Sequence, residues 1–520
     1  MGSGHSLPVI LPTEWPWSRI AIVATVSTIA LVTCRAILRF LWKAYQVRNI
    51  PGPKASSFLL GHALDTLGRS AKWHLHGDYP EPYISWIKQF GNAILFRELF
   101  NYAVIFADPK AIQHVLATNG RNYPRDKIIA SYLADIVLGE GLLSTEGSVH
   151  DEYRKILNPI FTSNSIKSFV PIYDTQTRII CETIIQEAAK NGQTLNMTDV
   201  FTDLTLRTIG LAGFGFNFKD DAEAQKAYNN AQLVPTPLIL VGTRVIPRFL
   251  DSPLPSLVRR REAQAQLKKV VNTVIEHKLA GSTKDGPKDL LDLILPHSSP
   301  EEAFVHTMTF LTAGHETTTS ALGWIIVNLI KHPNVATQVR REYKAVVAKF
   351  GSLNSWEAVD ELIFTLAVIQ ESLRLNAIAA KVARRTCASD DIVPMQEGPP
   401  IFVPAGTTVE VVIAAMNRHP KYWAKPDSFI PERFLEGSPE WNADLALRDG
   451  KPHALYYIPF SAGSKNCIGQ RFSIVEMQVV VATLIGQFDF KLAQDADTRA
   501  KYNGVTTFPT RLTVNVSIAE

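Results

Sequence analysis

Apolar and polar positions first separate a short leader from a long body. Between Ile20 and Cys34 no residue is charged; Trp15 and Trp17 precede the run, and Arg35, Arg39, Lys43 and Arg48 follow it. Counted from Trp15, the stretch just reaches the span of a bilayer, and Arg19 can extend its charged head toward the headgroups. Basic residues placed after the apolar run would keep the downstream chain on the cytosolic side. A cleaved signal peptide carries its charges ahead of the apolar core, so this pattern speaks for a retained anchor. We read residues 1–14 as a lumenal N-terminus, 15–42 as a transmembrane anchor and 43–54 as a basic stretch. That stretch ends in a proline-rich joint at Ile50-Pro51-Gly52-Pro53, and 55–520 form a single folded domain.

The body alternates long helical patterns with short strand-like runs and shows no repeats, which predicts a mainly α fold with a small β-sheet region. Its clearest helix starts at Ser299-Pro300-Glu301-Glu302, a capping box with proline at the first helical position, and runs to His332-Pro333. Two shorter segments carry paired charges. Glu371 and Arg374 share one helical face at i, i+3, and Arg433, in Phe429-Ile430-Pro431-Glu432-Arg433-Phe434, would join them in a three-member network. Leu238 to Val241, flanked by Pro235, Pro237 and Pro247, reads equally as a bilayer-dipping loop or a buried strand.

Composition narrows the function classes. The 520 residues are 46% hydrophobic and 20% charged, enough to bury a sizeable core, and a net charge of +4 is too small to suggest nucleic-acid binding. Cys34, Cys181, Cys387 and Cys467 form no C-x-x-C pair, which argues against a disulfide framework or a closed zinc site. His315-Glu316 begins the zinc-hydrolase pattern H-E-x-x-H, but Thr319 stands where the second histidine belongs. Met1-Gly2 opens a loose myristoylation match, which a lumenal N-terminus would put out of reach of the acyltransferase. Asn196 and Asn515 open glycosylation sequons that a cytosolic body would leave unmodified.

The chemistry centres on Cys467, in Phe460-Ser461-Ala462-Gly463-Ser464-Lys465-Asn466-Cys467-Ile468-Gly469. A thiolate metal ligand needs backbone N–H donors near sulfur and shelter from oxidation. Gly463 and Gly469 permit the close approach, Phe460 can cover the sulfur, and Lys465 offers a cation to an anionic group. In the long helix, Ala313-Gly314-His315-Glu316-Thr317-Thr318-Thr319 places a glycine at mid-helix, where it costs about 1 kcal/mol relative to alanine. A small ligand seated against the bare backbone would supply a reason, with Glu316 and Thr317 as proton donors beside it.

The cysteine segment resembles the haem-binding loop F-x-x-G-x-R-x-C-x-G of the cytochrome P-450 family, with Lys465 in place of the usual arginine. The helix resembles that family's oxygen-activation motif A-G-x-[DE]-T-[TS]. Glu371 to Arg374 and Pro431 to Phe434 resemble its E-x-x-R and P-E-R-F braces. The resemblance covers nearly the whole chain after the joint. It implies a triangular helical prism around haem b behind an N-terminal transmembrane helix, with Cys467 as axial iron ligand and Thr317, Glu316 and Gly314 serving oxygen activation. His150 and Arg154 would grip a propionate where many members have W-x-x-x-R, and Arg384 would be a further propionate arginine with Arg385 as its rival.

It also implies a monooxygenase placing one oxygen atom into a lipophilic small molecule, at the endoplasmic reticulum membrane. Gly213-Phe214-Gly215 lacks the third glycine of a nicotinamide site, so electrons from NADPH would arrive through a separate flavoprotein reductase, with cytochrome b5 as a second donor. Lys155, Lys465 and Arg471 suit an acidic partner of that kind. The substrate pocket would be walled by residues 123–142, by His306, Phe310 and Ala313, by Ala379 to Val382, and by Thr506 to Phe508. Two alternatives stay open: a family member that rearranges a pre-oxidised substrate without reductase, and a non-catalytic membrane haem protein.

Overall fold

The computed structural model describes residues 17–62, 65–66, 81–233, 236, 238–239, 242–243, 246, 248–281, 288–502 and 505–519. Helix α1 (Trp17–Val47) is longer than the expected anchor. No proline or glycine occurs between Trp17 and Ile50, so the helix continues through Lys43 to Val47. Among the described residues it is the one helix long and apolar enough to cross a membrane, and the apolar side chains from Ile20 to Trp42 are exposed except Phe40, which is half-buried. Its C-terminal part meets the body: the Phe40 ring stacks on Tyr102 at 5.3 Å and lies edge-on to Phe100 at 6.2 Å. The joint behind it is pinned as well, because the Leu95 N–H donates to the Pro51 carbonyl at 2.8 Å. Residues 1–16, with Trp15, lie outside the described residues, as do Pro235, Pro237, Leu240, Val241 and Pro247. Leu238 and Ile239 are helical.

The body is carried by helices α2 (Tyr83–Phe90), α3 (Lys127–Ile136), α4 (Gly147–Leu157), α5 (Val170–Ile180), α6 (Met197–Phe214) and α7 (Ala222–Ala231). They are followed by α8 (Pro255–Leu279), α9 (Pro300–Lys331), α10 (Pro333–Phe350), α11 (Ile363–Leu375), α12 (Pro439–Leu447) and α13 (Gln470–Gln487). Strands β1 (Ala93–Glu98), β2 (Asn101–Phe106), β4 (Arg385–Thr386) and β7 (Thr408–Val411) make a sheet in the order β1-β2-β7-β4. There β2 pairs parallel with β7 from Ala103↔Thr408 to Phe106↔Val411, and the other two ladders are antiparallel. A second sheet joins β3 (Thr194–Asn196), β11 (Thr513–Ile518) and β8 (Phe488–Leu492), and the pairs β5 (Asp391–Val393) with β6 (Ile401–Val403) and β9 (Asp497–Tyr502) with β10 (Thr507–Arg511) are two-stranded. A mainly helical body with small sheets behind an apolar helix is the architecture expected from the sequence.

Helix α9 organises this body. The expected capping box is present, with Ser299 Oγ accepting from the Glu302 N–H at 3.3 Å and Glu302 Oε2 accepting from the Ser299 N–H at 2.9 Å. The helix ends before Pro333 as the sequence requires. Its second half is buried on every side from Thr318 to Leu329, the mark of a core helix. One apolar cluster packs the first half of α9 against α5, α6 and α8, a second packs the second half against α11 and α13, and a third fills the β1–β2 sheet region.

Candidate active site

At its middle, α9 crosses α6. A Cβ on Gly314 would lie 3.1 Å from Ile209 Cδ1, so this bare backbone admits the neighbouring helix. Packing against Ile209 is thus a second reason for glycine here, beside the expected ligand-seating role. Glu316 Oε1 accepts from the Thr506 hydroxyl at 2.9 Å, and the Thr317 hydroxyl donates back to the Ala313 carbonyl at 2.7 Å. His315 points elsewhere, buried with Nδ1 2.9 Å from the Thr205 hydroxyl and its ring edge-on to Tyr228. Thr506 is fixed by its neighbour, since the Thr507 hydroxyl and N–H both donate to the segment after α11, at Ala377 and Ile378. The expected Thr506 to Phe508 wall therefore meets α9 at Glu316.

The cysteine segment folds back on itself before α13. The Cys467 N–H donates to the Phe460 carbonyl at 2.9 Å, and Gly469 is the N-cap residue of α13. Gly463 has φ +75°, and a Cβ there would stand 1.8 Å from the Leu116 carbonyl oxygen, so only glycine brings the loop this close to residues 116–117. Cys467 is set deep in the fold, yet its side chain is open to a cavity of about 650 Å³ between α4 and the loop, lined also by Arg154, Asn158, Asn466 and Arg471. Burial pushes the thiol pKa up, against the opposing pull of the Gly469 N–H and the Arg154 charge. Such a sulfur ionises when a metal cation binds it.

Beside the loop lies a basin of cations. Arg154 donates to the Asn466 carbonyl and to Asn466 Oδ1 at 3.2 Å, which ties α4 to the residue before the cysteine. The Lys465 ammonium is bound by Glu146 Oε2, and Glu146 Oε1 accepts from Arg125 Nη1 at 2.9 Å. His150 is 2% exposed and held neutral, its pKa pushed down to about 4 by burial and by Arg125, Arg154 and Lys465. Arg384 departs from the expected propionate role: its Nε donates to Glu410 Oε1 at 2.8 Å and its Nη2 to Glu98 Oε2 at 2.6 Å, which commits the guanidinium to carboxylates. Its rival Arg385 is free to take that role. It is 5% exposed, paired through its backbone with Arg125, and its Nε and Nη1 have no partner among the described residues. An exposed thiol with Arg154 on its cavity wall, and a buried Arg385 guanidinium lacking acceptors, are the donor types that a haem with two carboxylate arms requires.

Behind the loop the charge network is complete. Glu371 accepts from Arg374 at 2.7 and 2.9 Å, from Arg433 Nε at 3.1 Å and from the Ile430 N–H at 2.8 Å, while all three side chains are essentially inaccessible. Arg374 also donates to the Asn417, Pro426 and Ser428 carbonyls. Asp444 of α12 is a fourth member, accepting from Arg433 Nη1 at 2.6 Å. Sequence reasoning missed Asp444, Glu146, Arg125, Glu98 and Glu410, since each is distant in sequence from its partner. The one local signal was the acid preceding Gly147. Of the remaining expected walls, Tyr123 turns inward to Asp391 at 2.6 Å, and His306 and Phe310 pack on Tyr153 and Phe161.

Nearly the whole chain is similar to known proteins. The chain is 26% identical to cytochrome P-450 monooxygenase 205 of Postia placenta over 90% of this chain and 91% of that protein. It is 29% identical to monooxygenase 91 of the same fungus, over 86% and 88%. Rat cytochrome P-450 4F4 is 26% identical over 94% of both chains, and mouse leukotriene-B4 omega-hydroxylase 3 is 26% identical over 91% and 90%. Relatives named monooxygenases make this an oxygen-incorporating oxidoreductase whose family carries haem on a cysteine thiolate. The Cytochrome P-450 family model matches residues 70–516, and the chain belongs to that family.

Proposed function

We propose that this protein inserts one oxygen atom into a lipophilic small molecule, drawing electrons from NADPH through a separate flavoprotein reductase, on the cytosolic face of the endoplasmic reticulum membrane. The observation that carries the reading is the exposed Cys467 side chain, which faces a cavity that Arg154 also lines. Bound there, haem supplies oxygen binding and reduction, with one oxygen atom passing to substrate and the other leaving as water.

The chain's own residues position and protonate. Cys467 would hold the iron, with the Gly469 N–H facing the sulfur and the Phe460 carbonyl fixing the cysteine backbone. Arg385, Arg154 and neutral His150 are the donors for the propionates, with Arg125 and Lys465 behind them. Thr317, whose hydroxyl donates to Ala313, would be free to turn about χ1 and offer that proton to the site, and Glu316, joined to Thr506, would resupply it.

Support for the membrane seat comes from α1 and from Phe58, Leu59 and Phe100, exposed at 89, 60 and 66% beside the Phe40 contact. A relative named for hydroxylating leukotriene B4 supports a lipophilic substrate. The test is twofold. Reduced protein under carbon monoxide should show the thiolate-type absorption, where a histidine-type spectrum would sink the ligand assignment. Product from a lipophilic library should then require both NADPH and reductase; turnover without them would establish the rearranging alternative.

A further inference from the structure

Glu146 belongs to none of the recognised motifs. It stands at the N-cap of α4, with extended backbone at φ −133° and ψ 165°, but its side chain caps nothing. Oε1 accepts from the Arg125 N–H at 3.1 Å and from Arg125 Nη1 at 2.9 Å, and Oε2 binds Lys465. One carboxylate thus joins two of the four cations in the basin. Arg154 and Arg385 have no carboxylate partner among the described residues, and Arg385 keeps two buried N–H groups unsatisfied.

We propose that Glu146 is a positioning residue that sets the charge felt at the haem edge. It draws the Lys465 ammonium onto itself, so Arg125, Glu146 and Lys465 together present one positive charge where two would otherwise stand. Lysine suits this arrangement: its compact ammonium is satisfied by one carboxylate, whereas an arginine fork would span Glu146 and a propionate at once. The inference rests on the haem-thiolate reading. Reducing the iron adds an electron, and nearby positive charge favours the reduced form, most strongly in a site shielded from water. Glu146 therefore holds the reduction potential down.

The test is a potentiometric titration of the full-length holoprotein. Glu146→Gln should move the haem midpoint positive, by an amount equal to roughly a tenfold change in the ferrous-to-ferric ratio at fixed potential, and Lys465→Gln should move it negative. A purely structural Glu146 would lower haem retention and leave the midpoint in place. Should Glu146→Gln fail to retain haem, the Glu146→Gln, Lys465→Gln pair, whose net charge is unchanged, should titrate with the parent protein, and a displaced midpoint there overturns the proposal. Carbon monoxide spectra separate the two readings. A missing thiolate band overturns the haem reading and this inference with it, while a normal band with an unmoved or negative midpoint in Glu146→Gln overturns the inference alone.

Discussion

Two side chains show at the residue scale how burial replaces ordinary charge behaviour. Glu476 on α13 is 2% exposed with no partner for Oε1 among the described residues, and burial pushes its pKa up to about 8 against the opposing Thr208 hydrogen bond. Its folded pKa is raised above the ordinary 4.5, so the unfolded state loses its proton first as pH rises. The carboxyl therefore favours the fold fully below about pH 4.5, and that contribution drains away as pH climbs through 8. Glu476→Gln keeps the shape and removes the titration. Thermal unfolding should show the variant gaining on the parent from pH 6 to pH 9, with the two nearest at pH 5; parallel profiles would mean that Glu476 is not the titrating group. Thr317 makes the second case. Among the described residues its hydroxyl has one partner, Ala313 O, so Thr317→Ala removes little stability but takes away a proton donor. Product per NADPH consumed should fall at least about tenfold, with the carbon monoxide spectrum unchanged.

Braces decide the matter at the scale of elements. The network of Glu371, Arg374, Arg433 and Asp444 is wholly buried and fully hydrogen-bonded, the condition under which such a cluster is tolerated. Removing one member strands a charge: Arg433→Ala should cost about 3–5 kcal/mol in denaturant unfolding and empty the haem site at growth temperature. Much of this was legible in the chain, because the capping box, the E-x-x-R turn and the glycine-framed cysteine are local patterns whose partners lie within a few residues. What escaped was long-range. Arg384 and Arg385 are neighbours in sequence with similar chemistry, and their roles separate only where β4 pairs with β7 and brings Glu410 to one of them. Gly314 was similarly ambiguous, since a bare backbone serves a ligand or a crossing helix equally well until Ile209 is seen against it.

For the whole molecule, the central question is how a membrane helix is coupled to a folded body. A free tether would let the body tumble at the surface, but α1 does not end at the membrane. It runs on to Val47, stacks Phe40 on Tyr102, passes Arg97 over the Phe40 ring and places the Lys43 ammonium on the Gly406 carbonyl. Anchoring and docking thus occupy different parts of one helix, and two truncations tell them apart. A chain lacking residues 1–36 keeps the docking residues and loses most of the apolar run. It should wash from membranes in alkaline carbonate, where the full chain stays, and it should retain both its carbon monoxide spectrum and its unfolding midpoint. Deleting through Val47 also removes the Phe40 stack. With an aromatic pair worth about 0.5–1.5 kcal/mol beyond its buried area, that chain should unfold earlier by a comparable amount. Equal stability of the two truncations would show that the stack carries no load and that the body is free to turn on its joint.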